Sequence, residues 1–85
     1  MIQKYKIDIL TYVTDGQVKS DCADITFYNN GSTNIVLNNS VTITPGNSLN
    51  LSANYNEMDL TIYQFYFIPN PPRVNKLIVF RKIYV

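Results

Sequence analysis

The sequence predicts an all-β fold: a small antiparallel β-sandwich, Ig-like or jelly-roll-like, with seven or eight strands and no helix. Three observations carry this reading. Ile, Val, Thr, Tyr and Phe dominate every apolar run, and these residues suit a pleated, half-buried surface. Asn29-Asn30-Gly31, Asn38-Asn39-Ser40 and Pro45-Gly46-Asn47 cut the stretch from Ile25 to Leu51 into short segments, the punctuation of closely spaced strands. No window keeps the i, i+3, i+4 spacing of an amphipathic helix.

The first strand is expected from about Ile2 to Thr14, with Tyr5, Ile7 and Ile9 on one face and Lys4, Lys6 and Asp8 on the other. Asp15-Gly16 turns the chain. A short, weak strand around Val18 to Cys22 leads into Ile25 to Tyr28, then Asn34 to Leu37, Val41 to Thr44 and Ser48 to Ala53. Two longer strands follow, Leu60 to Ile68 and Asn75 to Tyr84.

Side-chain parity constrains the turns, because a one-residue slip moves a whole strand to the other face. Ile25 and Phe27 mark an inward face before Asn29-Asn30-Gly31, and Ile35 and Leu37 mark it afterwards. A three-residue hairpin loop with Gly31 left-handed in a bulge pairs Ile25 with Ile35 and keeps that face continuous. Thr44-Pro45-Gly46-Asn47 places Pro then Gly in the central positions of a type II turn, which splays strands instead of closing a tight hairpin. The chain is expected to change sheet there.

At 85 residues the chain is expected to form one domain spanning residues 1–85. Domains near this size usually need disulfides, a metal or partner subunits. Cys22 has no second cysteine to pair with and there is no His, so neither a disulfide nor zinc is expected, and no cofactor or metal site is assigned. Cys22 reads as a small apolar filler. A net charge of +1 is too small for a strong phosphate-binding field, so nucleic acid is not favoured as a partner. Charges interrupt the N-terminal apolar residues and no run approaches a membrane span, so no membrane partner is expected and synthesis is read as cytoplasmic.

No catalytic residue is assigned. A base of the usual kind is absent without His, and the carboxylates Asp8, Asp15, Asp21, Asp24, Glu57 and Asp59 show no spacing that guarantees a facing pair. The loop from Asn54 to Asp59 is rich in oxygen ligands but lacks the glycine and acidic spacing of a calcium loop. Pro69-Asn70-Pro71-Pro72-Arg73 reads as a stiff link between the two longest strands. Lys4, Lys6, Arg81 and Lys82, with Tyr5, Phe80 and Tyr84 interleaved, would meet if the terminal strands were neighbours and would then resemble a single-strand-binding groove, although lysines on edge strands more often serve to prevent edge-to-edge aggregation.

Leu60 to Ile68 and Leu77 to Phe80 are apolar on both faces, whereas a two-layer domain buries one face of each sheet. Tyr63, Phe65 and Phe67, with Tyr66, Ile78 and Phe80, are therefore the candidate interface residues. A neighbouring subunit, a sugar stacked on the rings or the N-terminal strand could cover Tyr63, Phe65 and Phe67. This leaves a homo-oligomer or assembly subunit on one side and a carbohydrate- or peptide-binding module using Tyr63 to Phe67 on the other.

From Ala23 to Phe67 the chain contains Asp-Ile-Thr-Phe-Tyr-Asn-Asn-Gly, Asn-Ile-Val-Leu-Asn-Asn-Ser-Val-Thr-Ile-Thr-Pro-Gly-Asn-Ser and Asp-Leu-Thr-Ile-Tyr-Gln-Phe-Tyr-Phe. This order of strand, Asn-Gly turn, hairpin, Pro-Gly corner and aromatic strand resembles the small β-sandwich virion proteins of tailed bacteriophages. The resemblance covers about half the chain. It implies a capsid auxiliary (decoration) subunit, head-fibre base or tail component, located in the virion, with other virion proteins such as the major capsid protein as partners.

Overall fold

Alternating inward and outward side chains organise the chain into eight strands: β1 (Tyr5–Tyr12), β2 (Gly16–Lys19), β3 (Asp24–Asn29), β4 (Ile35–Leu37), β5 (Val41–Ile43), β6 (Ser48–Ser52), β7 (Ile62–Phe67) and β8 (Leu77–Tyr84). The computed structural model describes all residues except Met1, Gln3, Tyr55, Asn56 and 70–72. Among the described residues there is no helix. Each strand lies within a segment read as extended from the sequence, trimmed at the ends, with two exceptions: β2 starts at Gly16 and ends at Lys19 instead of running from Val18 to Cys22, and β3 extends one residue beyond Ile25 to Tyr28 at each end.

The strands form two antiparallel sheets with orders β1-β8-β3-β6 and β2-β7-β4-β5. Four pairings nest inside one another: β1 with β8, β2 with β7, β3 with β6 and β4 with β5. The chain is thus one long antiparallel ribbon whose tip is the turn between β4 and β5. Rolling the ribbon brings β3 beside β8 and β4 beside β7, which is the jelly-roll arrangement rather than the Ig-like one. Every connection except β4–β5 crosses from one sheet to the other.

At the ribbon tip, Asn38 and Asn39 both have positive φ, 50° and 54°, the backbone a type I′ turn requires and one that Asn adopts more readily than most residues. The Thr44–Asn47 corner follows the turn chemistry read from the sequence. Gly46 has φ 82°, the Asn47 N–H donates to the Thr44 carbonyl at 3.1 Å, and the chain leaves β5 in one sheet to enter β6 in the other.

The expected hairpin at Asn29-Asn30-Gly31 is not formed. β3 pairs with β6 and β8, and β4 pairs with β5 and β7, so Ile25 does not face Ile35 across a ladder, and Gly31 does not have a left-handed φ. Parity was satisfied differently: Ile25, Phe27, Ile35 and Leu37 all point inward, but from opposite sheets. Glycine is required at 31 for space. A Cβ there would lie 2.4 Å from the Val74 carbonyl oxygen and 2.7 Å from the Lys76 nitrogen.

The core is built from Ile25, Phe27, Leu77 and Val79 of one sheet against Val18, Ile35, Leu37, Ile43, Tyr63, Phe65 and Phe67 of the other. Cys22 is buried with them, its sulfur 3.3 Å from the Ser20 hydroxyl and donating to the Asp24 carbonyl. Asn29 is fully buried and sews the crossover together. Its Nδ2 donates to the Thr33 and Ile43 carbonyls at 2.7 and 2.8 Å, and its Oδ1 accepts from the Gly31 N–H at 3.1 Å.

Candidate functional site

Cross-strand register defines the outer face of the β1-β8-β3-β6 sheet row by row. Tyr5 faces Tyr84; Ile7 is followed across the sheet by Lys82, Asp24 and Ser52; Ile9 by Phe80, Thr26 and Asn50; Thr11 by Ile78, Tyr28 and Ser48. The face is divided. On β3 and β6 it is polar and internally satisfied, with Asn50 Nδ2 donating to Asp24 Oδ1 at 2.6 Å and to the Thr26 hydroxyl at 2.7 Å. On β1 and β8 it is mainly apolar, interrupted by Lys82 and Thr11.

That apolar half runs out to the sheet edge. Tyr5, Ile7 and Ile9 are 54%, 50% and 58% exposed. The alternation of β1 was legible, but its apolar face looks outward, while Asp8, Leu10 and Tyr12 take the inner side. The structural reason is at the inner end of the sheet. Asp8 lies opposite Arg81, whose Nε donates to Asp8 Oδ2 at 3.0 Å and whose Nη1 donates to the Lys19 and Ser20 carbonyls at 3.0 and 3.3 Å. The guanidinium thereby ties β1 and β8 to the end of β2, a set of bonds it could not make from the outer face.

The backbone of β1 adds a second element. The Val85 N–H donates to the Lys4 carbonyl at 3.1 Å, in line with the β1–β8 register. Backbone groups alternate sides along a strand. Lys6, Asp8, Leu10 and Tyr12 therefore direct their N–H and C=O toward β8, and Tyr5, Ile7, Ile9 and Thr11 direct theirs to the free edge. The same residues that expose apolar side chains present unpaired ladder groups, the arrangement that templates addition of another strand.

The six candidate interface residues are dispersed. Tyr63, Phe65 and Phe67 are corrected to core residues: they are 7%, 2% and 3% exposed, because sheet-crossing connections put β7 in the middle of the second sheet, facing the first. Tyr63 packs edge-on against Phe27 at 5.1 Å between ring centres, and Phe65 packs against Tyr12 at 4.9 Å. What covers the rings is the opposite sheet of the same chain, with the end of the N-terminal strand contributing Tyr12. A sugar platform made of these rings is thereby removed. Tyr66 faces out from the second sheet beside Ile62 and Gln64, a mixed surface. Ile78 and Phe80 are half-buried on the outer face already described.

The terminal strands are neighbours, as the groove reading required, yet the basic residues divide between faces. Lys6 and Arg81 lie on the inner side. Lys82 lies on the outer side with its ammonium 4.5 Å from the Tyr5 ring centre and 5.4 Å from that of Tyr84. One lysine over two rings is a local cation–π contact, without the line of cations that tracks a phosphate backbone.

The loop before β7 uses its carboxylates for its own geometry. Glu57 accepts from the Asn54 N–H at 2.7 Å. Asp59 accepts from the Thr61 N–H at 2.9 Å and from the Tyr63 hydroxyl at 2.6 Å. Burial pushes the Asp59 carboxyl up, but the hydrogen bonds from Thr61 and Tyr63 outweigh it and hold the group below its ordinary range. Burial, reinforced by the bond to Asp59, raises the Tyr63 hydroxyl. Tyr55 and Asn56 of this loop, and residues 70–72 of the proline-rich link, lie outside the described residues. Among the described residues no group of three His, Cys, Asp or Glu could hold a metal ion. Arg73, at the end of the link, donates to the Ser32 carbonyl at 3.3 Å, and Val74 N–H donates to the Ser32 hydroxyl at 2.8 Å.

Comparison with protein families, with curated proteins and with solved structures returns no match.

Proposed function

We propose that the chain is a non-enzymatic structural subunit that works through protein–protein contacts. The observation that carries this reading is the apolar half-face ending in a long open edge, where Tyr5, Ile7 and Ile9 are each half exposed or more. Contiguous exposed apolar surface on a small domain marks a contact site, and an eight-residue edge strand without a proline or a bulge presents a row of unpaired backbone groups; its inner-side charges, Lys6 and Asp8, are of opposite sign and guard against unmatched strands but not against a complementary one.

The assembly we propose is a bacteriophage virion, with the chain as a capsid auxiliary (decoration) subunit or another head- or tail-associated component beside proteins such as the major capsid protein. Support comes from the resemblance carried by Ala23 to Phe67, and at the level of architecture from the jelly roll, which recurs in viral capsid domains. Architecture is shared by many functions, so the contact surface and not the fold bears the weight. Quantitative mass spectrometry of purified virions tests the assignment. A fixed stoichiometry relative to the major capsid protein is expected, and a protein that stays in the soluble lysate fraction while virions assemble without it overturns it.

A further inference from the structure

We infer that two copies of this chain pair through β1, edge to edge and antiparallel, about a two-fold axis passing between Ile7 of one copy and Ile7 of the other. The inference rests on the assembly reading and names the first contact that assembly makes.

Free-edge geometry restricts the possibilities. Since Tyr5, Ile7, Ile9 and Thr11 carry the edge-directed backbone groups, a self-paired ladder must set odd-numbered residues opposite odd-numbered ones. Five registers centre on residues 5 to 9; those on Tyr5 and Ile9 set Ile9 or Tyr5 opposite residues outside β1, and charge separates the other three. Centring on Lys6 sets that lysine against its own copy. Centring on Asp8 sets two carboxylates face to face. Like charges directly opposite are destabilising. Centring on Ile7 instead puts Lys6 opposite Asp8 of the other copy, twice by symmetry, and puts Tyr5 opposite Ile9, also twice.

Each exposed apolar side chain of β1 thereby gains a cross-strand partner: aromatic on β-branched at two positions and Ile7 on Ile7 at the axis. The inner-side charges join the existing pair, so that Asp8 lies between Arg81 of its own chain and Lys6 of the other. Asp8 keeps about a third of its side-chain surface exposed beside Arg81, which leaves room for a second cation. The outer faces of the two copies become one eight-stranded sheet with the order β6-β3-β8-β1-β1-β8-β3-β6, in which the apolar halves meet at the centre and the polar halves lie at the rims. An isologous contact of this kind closes on itself. It uses the edge of β1 and leaves that of β6 with the polar Ser48, Asn50 and Ser52.

The test is sedimentation of the full chain over a concentration series, together with single-cysteine cross-linking. A monomer–dimer equilibrium is expected. Ile7→Lys places two ammonium groups on the axis and is expected to weaken dimerisation by more than about tenfold; because Ile7 lies outside the core, the variant keeps wild-type circular dichroism. Residues in such a directly opposed pair have Cα atoms about 5.5 Å apart, within disulfide reach. Ile7→Cys should therefore form a disulfide-linked dimer on mild oxidation. Ile9→Cys should not self-link, but should link to Tyr5→Cys when the two are mixed. Native Cys22 is 1% exposed and does not compete. A folded monomer at all concentrations, self-linking of Ile9→Cys in preference to Ile7→Cys, or a dimer indifferent to Ile7→Lys overturns the pairing. Virion stoichiometry is read separately, so the pairing can fail while the assembly reading stands, and the reverse.

Discussion

Asn29 Nδ2 donates to the Ile43 carbonyl at 2.8 Å, joining the last residue of β3 in one sheet to the last residue of β5 in the other. The two positions are neighbours in space because the ribbon is rolled; the bond spans the crossover and the β4–β5 turn, and the Asn29 carbonyl also accepts from the Gly46 N–H of the Pro-Gly corner at 2.9 Å. The amide is fully buried, so its three hydrogen bonds are made in a setting where the partners have no water to fall back on.

Replacing Asn29 therefore exposes the cost of unmade bonds. Asn29→Ala leaves the Gly31 N–H and the carbonyls of Thr33 and Ile43 short of a partner, and a loss of about 2 to 5 kcal/mol is expected. Asn29→Asp keeps the acceptor but aims a carboxylate at two carbonyl oxygens. Its deficit relative to wild type should shrink as the pH falls and the carboxyl protonates. Urea denaturation at neutral and acidic pH measures both; an Ala variant within about 0.5 kcal/mol of wild type contradicts the role given to the amide.

The three glycines should rank in tolerance of alanine. Gly31→Ala drives a methyl group into the backbone at Val74 and Lys76 and is expected to cost more than about 2 kcal/mol. Gly46→Ala meets open space but takes a left-handed φ, for about 1 to 2 kcal/mol. Gly16→Ala makes an ordinary 3.6 Å contact with the Phe65 ring and is expected to be within about 1 kcal/mol of wild type. Chemical denaturation of the three variants gives the order directly.

Asp59 and Tyr63 link stability to pH in opposite windows. The folded chain holds the Asp59 carboxyl below its ordinary value, so that contribution is complete above about pH 4 and is lost as pH falls through the folded value. The Tyr63 hydroxyl is raised, so its contribution is complete below about pH 10 and is lost as pH rises through the folded value. Tyr63→Phe removes the hydroxyl from both and should flatten the stability profile at both extremes. Denaturation midpoints across the pH range check this, and an unchanged acid limb would separate Asp59 from Tyr63.

Arg81 and Asp8 should not be equivalent. Arg81→Met removes the donors to Asp8, Lys19 and Ser20 together and is expected to destabilise by about 1 to 3 kcal/mol. Asp8→Asn leaves the two carbonyl contacts in place and keeps an acceptor for the guanidinium, and should cost less than about 1 kcal/mol, the range of ion pairs that water still reaches. A double-mutant cycle isolates the pair; equal losses from the two single variants would place the energy in the ion pair instead of in the tie to β2.

Strand existence and side-chain alternation were legible in the residues because both are local. β-branched and aromatic runs declare extended chain, and Asn38-Asn39 and Pro45-Gly46 impose their backbone whatever the rest of the molecule does. The turn type at Pro45-Gly46 even indicated the change of sheet. Which strands pair was a different matter. Ile25, Phe27, Ile35 and Leu37 share an inward parity, and parity is equally satisfied by one hairpin or by two sheets facing a common core. Only the sum of long-range contacts, β3 on β8 and β4 on β7, separates the two. The same holds for the candidate surface. Tyr63, Phe65 and Phe67 looked too apolar to be covered by one small chain, yet a central strand in a rolled ribbon has a whole opposing sheet above it. Among the apolar residues left exposed are Tyr5, Ile7 and Ile9, on an edge where one side of the strand has no neighbour. Composition marks a side chain as apolar; the order of strands in the sheet settles whether it meets core or solvent.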